Sequence, residues 1–213
     1  MNGMNLDFQT SLFDDIDADP ELDELAGTVE RTQLAEGAWV DLRPGWVRNS
    51  DALFERLAVD VPWREDRREM YDKVVAVPRL VSHFGEGSVY PDPVLSRAQR
   101  ALNDYYGRPP GQVFATAGLC FYRTGDDSVA WHGDRVGRTI DRDTMVAIVS
   151  VGAARTLSVR PKGGGATLRF PVGHGDLIVM GGSCQRTHEH AILKTKQAVG
   201  PRISVQFRPV WPR

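Results

Sequence analysis

The stretch Trp131-His132-Gly133-Asp134, taken with His190 and with Arg202 and Arg208 further on, organises this chain. A histidine and a carboxylate two positions apart in an extended segment point to the same face. With a distant second histidine they form the two-His, one-carboxylate set that holds non-haem iron(II) and leaves coordination positions open. Open positions serve chemistry rather than structure. Arg202 and Arg208 are separated by five residues, so along a strand both face the same way. Two such cations beside a metal suit an anionic co-substrate.

Outward from this stretch the pattern is that of short strands. From Gln112 onward, Met145–Val151, Thr156–Val159, Asp176–Met180, Ala191–Leu193 and Ile203–Phe207 read as strands. Gly-rich turns at Pro161–Gly165 and Gly173–Gly175 separate some of them. Close, regular spacing of this kind predicts a sandwich or jelly roll. Upstream the period becomes helical. Ser50-Asp51 precedes Ala52–Leu57 as a capped amphipathic helix. Asp92 as N-cap with Pro93 at the first helical position opens a second helix, and Gly107 closes it. Its predicted apolar face is Val94, Leu95, Ala98, Ala101, Leu102 and Tyr105.

The 213 residues suffice for one domain with a real core, and their composition is ordinary for a globular protein (41% hydrophobic, 25% charged). No apolar run reaches the roughly 18 residues of a membrane span, and no basic, then apolar, secretory leader is apparent. Cys120 and Cys184 form no disulfide framework and fit a reducing cytosol. The expectation is a cytoplasmic protein, monomeric by default. Charge is uneven: residues 1–30 carry nine Asp/Glu and no Lys/Arg, leaving 26 basic and 19 acidic residues in the remainder. Such a body suits a polyanion such as nucleic acid, or presents a scattered solvated surface. We expect residues 1–35 to be an acidic, largely extended or disordered leader. Residues 36–213 are then one domain, with 36–110 carrying helices and a substrate lid and 111–213 the β core.

The ordered motifs carry a family resemblance. Tyr122-x2-Gly125-x5-Trp131-His132-x-Asp134, then Gly175-Asp176-Leu177-Ile178-Val179-Met180, Gln185-x4-His190 and Arg202-x5-Arg208 resemble the AlkB-type Fe(II)/2-oxoglutarate dioxygenases over roughly residues 74–209. The resemblance implies a class α+β, mainly β: a double-stranded β-helix (jelly-roll) core with supporting N-terminal helices and a lid. It assigns His132, Asp134 and His190 to iron(II), with His188 as the rival ligand on the same strand face. It also assigns Arg202 to the distal carboxylate of the co-substrate 2-oxoglutarate, Arg208 to the keto-acid end and Tyr122 to a hydrogen bond with it. His174 reads as a solvent-facing turn residue.

The implied activity consumes O2 and 2-oxoglutarate to dealkylate N-alkylated bases of DNA or RNA, of the 1-methyladenine and 3-methylcytosine type. Succinate, CO2 and an aldehyde are released. Val77-Pro78-Arg79 with His83-Phe84-Gly85 resembles the family's lid. Arg79, His83, Phe84 and Trp131 are candidate substrate residues, Trp63, Tyr71 and Tyr90 further stacking candidates, and Arg64, Arg67 and Arg68 candidate phosphate contacts. Two positions depart from the family pattern: Cys120 stands where an asparagine is usual, and Val136, flanked by Arg135 and Arg138, where an acidic residue is usual. The latter keeps a protein or small-molecule substrate as the alternative. A non-catalytic module on a β-sandwich is the reading without chemistry. In the leader, Gln9-Thr10-Ser11-Leu12-Phe13 resembles the peptide by which bacterial repair proteins dock on the sliding clamp, with Gln9, Leu12 and Phe13 as anchors.

Overall fold

Alternating side chains along the strands build two antiparallel sheets that share a core, with Glu21–Leu22 and Val47–Arg48 of the N-terminal half forming a separate two-stranded sheet. The computed structural model describes residues 18–70, 73–107, 113–134 and 142–210, without the side chains of 66–77. In chain order the strands are β1 (Glu21–Leu22), β2 (Glu30–Gln33), β3 (Trp39–Arg43), β4 (Val47–Arg48), β5 (Arg64–Met70), β6 (Lys73–Phe84), β7 (Phe114–Tyr122), β8 (Val129–His132), β9 (Val146–Gly152), β10 (Arg155–Pro161), β11 (Leu168–Val172), β12 (Asp176–Gly181), β13 (His188–Ile192) and β14 (Arg202–Pro209). Helices are α1 (Ser50–Asp60), α2 (Pro93–Tyr106) and the single turn α3 (Cys184–Thr187). The large sheet has the order β2-β3-β12-β9-β14-β7-β6-β5, and the small one β11-β10-β13-β8.

Parity along the central strands explains the layers. On β9 every residue is buried, because Ala147, Val149 and Val151 face the helices while Val146 and Ile148 face the small sheet. A strand covered on both faces reads as a continuous apolar run. On β14, Ile203, Val205 and Phe207 pack towards the helices. The alternate row of Arg202, Ser204, Gln206 and Arg208 therefore faces the space between the sheets, where it lines a cavity. This is the jelly-roll core with supporting helices that the motifs imply. Among the described residues no helix is long and apolar enough to cross a membrane.

Several local expectations change. The first helix begins one residue after Asn49, whose left-handed backbone (φ 51°) turns the chain without a side-chain cap. Ser50 and Asp51 fall in its first turn rather than before it, and Asp51 is buried with its Oδ1 3.0 Å from His174 Nε2. His174 is accordingly no free turn residue: its Nδ1 accepts the Gly152 N–H at 2.7 Å, so it staples the β11–β12 turn to α1. In α2 the Asp92 cap forms as expected, accepting the Val94 N–H at 2.8 Å. However, Tyr106 rather than Tyr105 closes the apolar face: Tyr105 is exposed, and the Tyr106 hydroxyl donates to buried Asp41 at 2.9 Å. Asp41 also pairs with Arg31, so β2, β3 and α2 meet there. The acidic N-terminal stretch thus contributes β1 and β2. Gln9, Leu12, Phe13 and Tyr71, the side chains of Arg67, Arg68 and Val77, and Arg135, Val136 and Arg138 lie outside the described residues.

Candidate metal centre and co-substrate pocket

The site forms where the last residue of β8 meets β13. Their register places His132 opposite His190, and the two rings lie 4.3 Å apart between centroids. Asp134 follows two residues later, and ligand-type atoms of all three fall within 4.8 Å of one another. His132 Nδ1 lies 2.8 Å from the Ala130 carbonyl oxygen. A carbonyl only accepts, so Nδ1 carries the proton and the Nε2 lone pair is left facing Asp134 Oδ1 at 3.6 Å. Lone pairs converging with no proton between them are what a divalent cation requires. His188 shares the strand face but stays out of this cluster; its Nδ1 is engaged with the Thr187 hydroxyl at 2.7 Å.

Electrostatics keep the set in the protonation state that a metal ion would need. Burial would raise the Asp134 carboxyl, but Arg208, His190 and His132 together outweigh it and bring the group below the usual carboxylate range. Arg208 reaches across from the large sheet to do this, with Nε 3.0 Å and Nη2 2.9 Å from Asp134 Oδ2. Gln206 fixes the guanidinium from behind, its Oε1 accepting from Nη2 at 3.0 Å. Burial first, and then the neighbouring His132, pushes His190 down to about 3, so its imidazole is neutral and ready to ligate near pH 7.

Beside the triad lies a cavity of 810 Å³ between the sheets. Its buried wall holds Tyr122, Arg202 and Ser204 from β7 and β14. Arg202 and Tyr122 are direct cross-strand partners, and the guanidinium lies 5.2 Å over the phenol ring. Arg202 is 2% exposed and gives its Nε to the Ser150 hydroxyl at 2.9 Å, while its Nη1 is buried with no hydrogen-bond partner among the described residues. An uncompensated buried cation is costly, so the cavity is built to receive an anion. Burial, then the nearby Cys120, pushes the Tyr122 hydroxyl up to about 12, with Arg202 opposing, so the phenol stays protonated as a donor. This wall fits the far carboxylate of a keto-diacid. Cys120 also lines the cavity, where its sulfur accepts from Arg79 Nε at 3.3 Å.

The substrate-side expectations divide. Arg79 and Trp131 reach the cavity wall. Arg79 Nη1 is fixed on the Ser128 carbonyl at 2.9 Å, and the Arg160 guanidinium covers the Trp131 ring at 4.0 Å. His83 and Phe84 are not among the lining residues. His83 is exposed near the end of β6, and Phe84 turns to the helix-side core, 5.8 Å from Tyr90. Tyr90 and Trp63 are packing residues too, against Phe207 and Phe121 respectively. Period-2 alternation puts Phe84 opposite Arg79 and Val81 on the strand, a signal already present in the sequence. Arg64 is exposed on the edge strand β5. Ser150, Ser204, Gln206 and Lys194, which no sequence motif marks, join the site.

The Gly-Asp pair before β12 has a structural role. Gly175 adopts φ +77°, and a Cβ there would lie 2.5 Å from the Val47 carbonyl oxygen. Asp176 caps two turns at once, accepting the Gly45 N–H at 2.8 Å and the Gly173 N–H at 2.6 Å.

Comparison with known proteins agrees with this geometry. Residues 47–208 match the 2OG-Fe(II) oxygenase superfamily. The chain is 30% identical over 191 residues to human alpha-ketoglutarate-dependent dioxygenase alkB homolog 3, covering 81% of this chain and 66% of that protein. It is 25% identical over 181 residues to human DNA oxidative demethylase ALKBH2, covering 76% and 69% respectively. The chain thus spans about two thirds of the length of these relatives. The solved structure of OsALKBH1 shares the fold, with a TM-score of 0.56 at 14% identity over 84% of this chain and 99% of that one. By these matches the chain belongs to the 2OG-Fe(II) oxygenase superfamily as an AlkB-type iron(II)- and 2-oxoglutarate-dependent dioxygenase.

Proposed function

We propose that this protein removes N-alkyl groups from damaged bases in nucleic acid, with His132 Nε2, Asp134 Oδ1 and His190 as the iron ligands. The observation that carries the reading is the buried Arg202 Nη1 without a partner beside the converged triad. Arg202 pairs the far carboxylate of 2-oxoglutarate, and Tyr122 donates a hydrogen bond to the same molecule. Arg208 orients the Asp134 carboxylate and keeps it ionised. Iron(II), 2-oxoglutarate and O2 together supply the oxidation of an N-alkyl carbon, with succinate and CO2 as co-products. The hydroxylated carbon then departs as an aldehyde and leaves the repaired base.

The remaining residues bring the base to that point. A base within a duplex cannot reach a buried metal, so it must leave the stack. The mouth offers Trp131 for stacking and Arg79 and exposed Lys194 as cations for the backbone. The names of two relatives, an alkB homolog and a DNA oxidative demethylase, support a nucleic-acid substrate. The leader peptide Gln9-Thr10-Ser11-Leu12-Phe13 is proposed to dock the enzyme on a sliding clamp.

Two measurements test this reading. Succinate release with Fe(II), 2-oxoglutarate and O2 should disappear in His132→Ala. Mass spectrometry of oligonucleotides carrying 1-methyladenine or 3-methylcytosine should show loss of the methyl group. Succinate turnover with every methylated oligonucleotide left intact would reject the nucleic-acid substrate in favour of a protein or small molecule.

A further inference from the structure

We infer that Gln185, on the α3 turn, is the positioning residue that sets the Asp134 carboxylate against the two histidines; this rests on the iron-site assignment above. Asp134 leaves β8 on a loop, so something must fix its backbone. That contact comes from Gln185, whose Oε1 accepts the Asp134 N–H at 2.9 Å. The α3 turn that carries Gln185 is itself tied down, because Lys162 Nζ donates to the Gln185 carbonyl at 2.9 Å and to the Arg186 carbonyl. Thr187 N–H and Arg186 N–H both return to the Ser183 carbonyl, and Lys162 N–H goes to Thr187 O. The brace therefore runs from the β10–β11 turn, through α3, to the metal carboxylate, and it directly precedes β13 with its ligand His190.

Two further observations make this a device rather than ordinary packing. The glycine between the ligands is pressed against the same turn: a Cβ on Gly133 would lie 2.8 Å from the Gln185 carbonyl oxygen and 3.3 Å from that of His188. The His-Gly-Asp backbone is thus seated directly on α3. Secondly, Gln185 is 3% exposed and its Nε2 has no hydrogen-bond partner among the described residues. The amide cannot turn over to satisfy it, because Asp134 N–H is a donor and needs the oxygen. A buried unpaired amide is unfavourable for folding. An apolar side chain of the same size would relieve that cost but leave the Asp134 N–H without its acceptor, so the two effects on stability oppose each other. The glutamine therefore serves geometry rather than net stability. Groups that orient metal ligands typically change metal affinity or activity 10- to 100-fold when removed.

The test uses Co(II) as an optical probe of the full-length protein under anaerobic conditions, without 2-oxoglutarate. Gln185→Met is expected to bind Co(II) roughly 10- to 100-fold more weakly than wild type and to alter its visible d–d spectrum. Its metal-free melting temperature should change little, because relief of the unpaired Nε2 is offset by the Asp134 N–H left without an acceptor. Gln185→Glu, which keeps an acceptor for the Asp134 N–H, should recover most of the affinity and the wild-type band shape. Wild-type affinity and spectrum in Gln185→Met would overturn the inference, as would equal losses in the Met and Glu variants or a fall in metal-free melting temperature that accounts for the loss. Absence of Co(II) binding by wild-type protein would instead refute the metal site on which the inference depends.

Discussion

Replacing Arg202 by methionine should separate co-substrate binding from folding. Arg202 is 2% exposed, bonded to Ser150 through Nε, and left with an unpartnered Nη1. Burial already pulls its pKa below the ordinary arginine value, against the opposing effect of Tyr122. Exchanging even a paired buried charge for apolar residues of similar volume is often neutral or stabilising by roughly 1–4 kcal/mol, and Arg202 has no carboxylate partner among the described residues. Against that stand the lost hydrogen bonds to Ser150 and Tyr122, about 1 kcal/mol each. The net effect on the metal-free protein is near zero or favourable. In a chain of this size 1 kcal/mol moves Tm by about 2–4 °C, so Tm should hold within about 3 °C or rise. The bound state behaves differently. Removing one partner of a buried, hydrogen-bonded charge pair costs roughly 2–5 kcal/mol, which is about 30- to 4,000-fold in affinity. Calorimetric titration with 2-oxoglutarate, using Mn(II) in place of iron without O2, measures the binding loss; differential scanning fluorimetry of the metal-free protein measures Tm. A binding loss below about fivefold would show that Arg202 does not pair the carboxylate, since even the lower bound above is larger. A Tm fall beyond about 6 °C would show that its role is structural.

Three other outcomes are expected, two from the same geometry and the third from the sequence of residues 9–13. His190 is pushed down to about 3 in the folded state, against an ordinary value near 6.5, so the unfolded chain takes up its proton first. Stability of the metal-free protein should therefore fall as pH drops from about 6.5 towards 3, and thermal melts of His190→Gln should show a shallower slope between pH 4.5 and 6.5; an unchanged slope would contradict the assignment. Trp131→Ala should weaken binding of a single-stranded oligonucleotide by about 1–3 kcal/mol, read by fluorescence anisotropy, and leave 2-oxoglutarate affinity unaltered. In a pull-down on the sliding clamp, Leu12→Ala/Phe13→Ala should lose capture, and equal capture by wild type and variant would remove clamp docking.

Much of the site was legible because strands carry information at a period of two. His132 with Asp134, and Arg202 with Arg208, are even-spaced pairs, and the structure turns each pair towards the space between the sheets. The same rule, applied to β6, separates Phe84 from Arg79 and anticipates its place in the core. Helical spacing was less decisive, since both Tyr105 and Tyr106 fall near the apolar stripe of α2. The neighbour Asp41, 65 residues away, selects Tyr106.

The amino-acid sequence by itself determined the chemistry class: ligand types at ligand spacing, arginines on one strand face and alternation that demands two packed sheets. These are local properties, readable from a residue and its near neighbours. Only the tertiary structure decided what holds the proposed ligands in place. Arg208 reaching Asp134 across the sheets, Gln185 gripping the Asp134 backbone, the stapling of His174 to Asp51 and the solitary Nη1 of Arg202 all join residues far apart in the chain. No periodicity encodes such contacts, because they depend on where the sheets and turns come to rest in three dimensions.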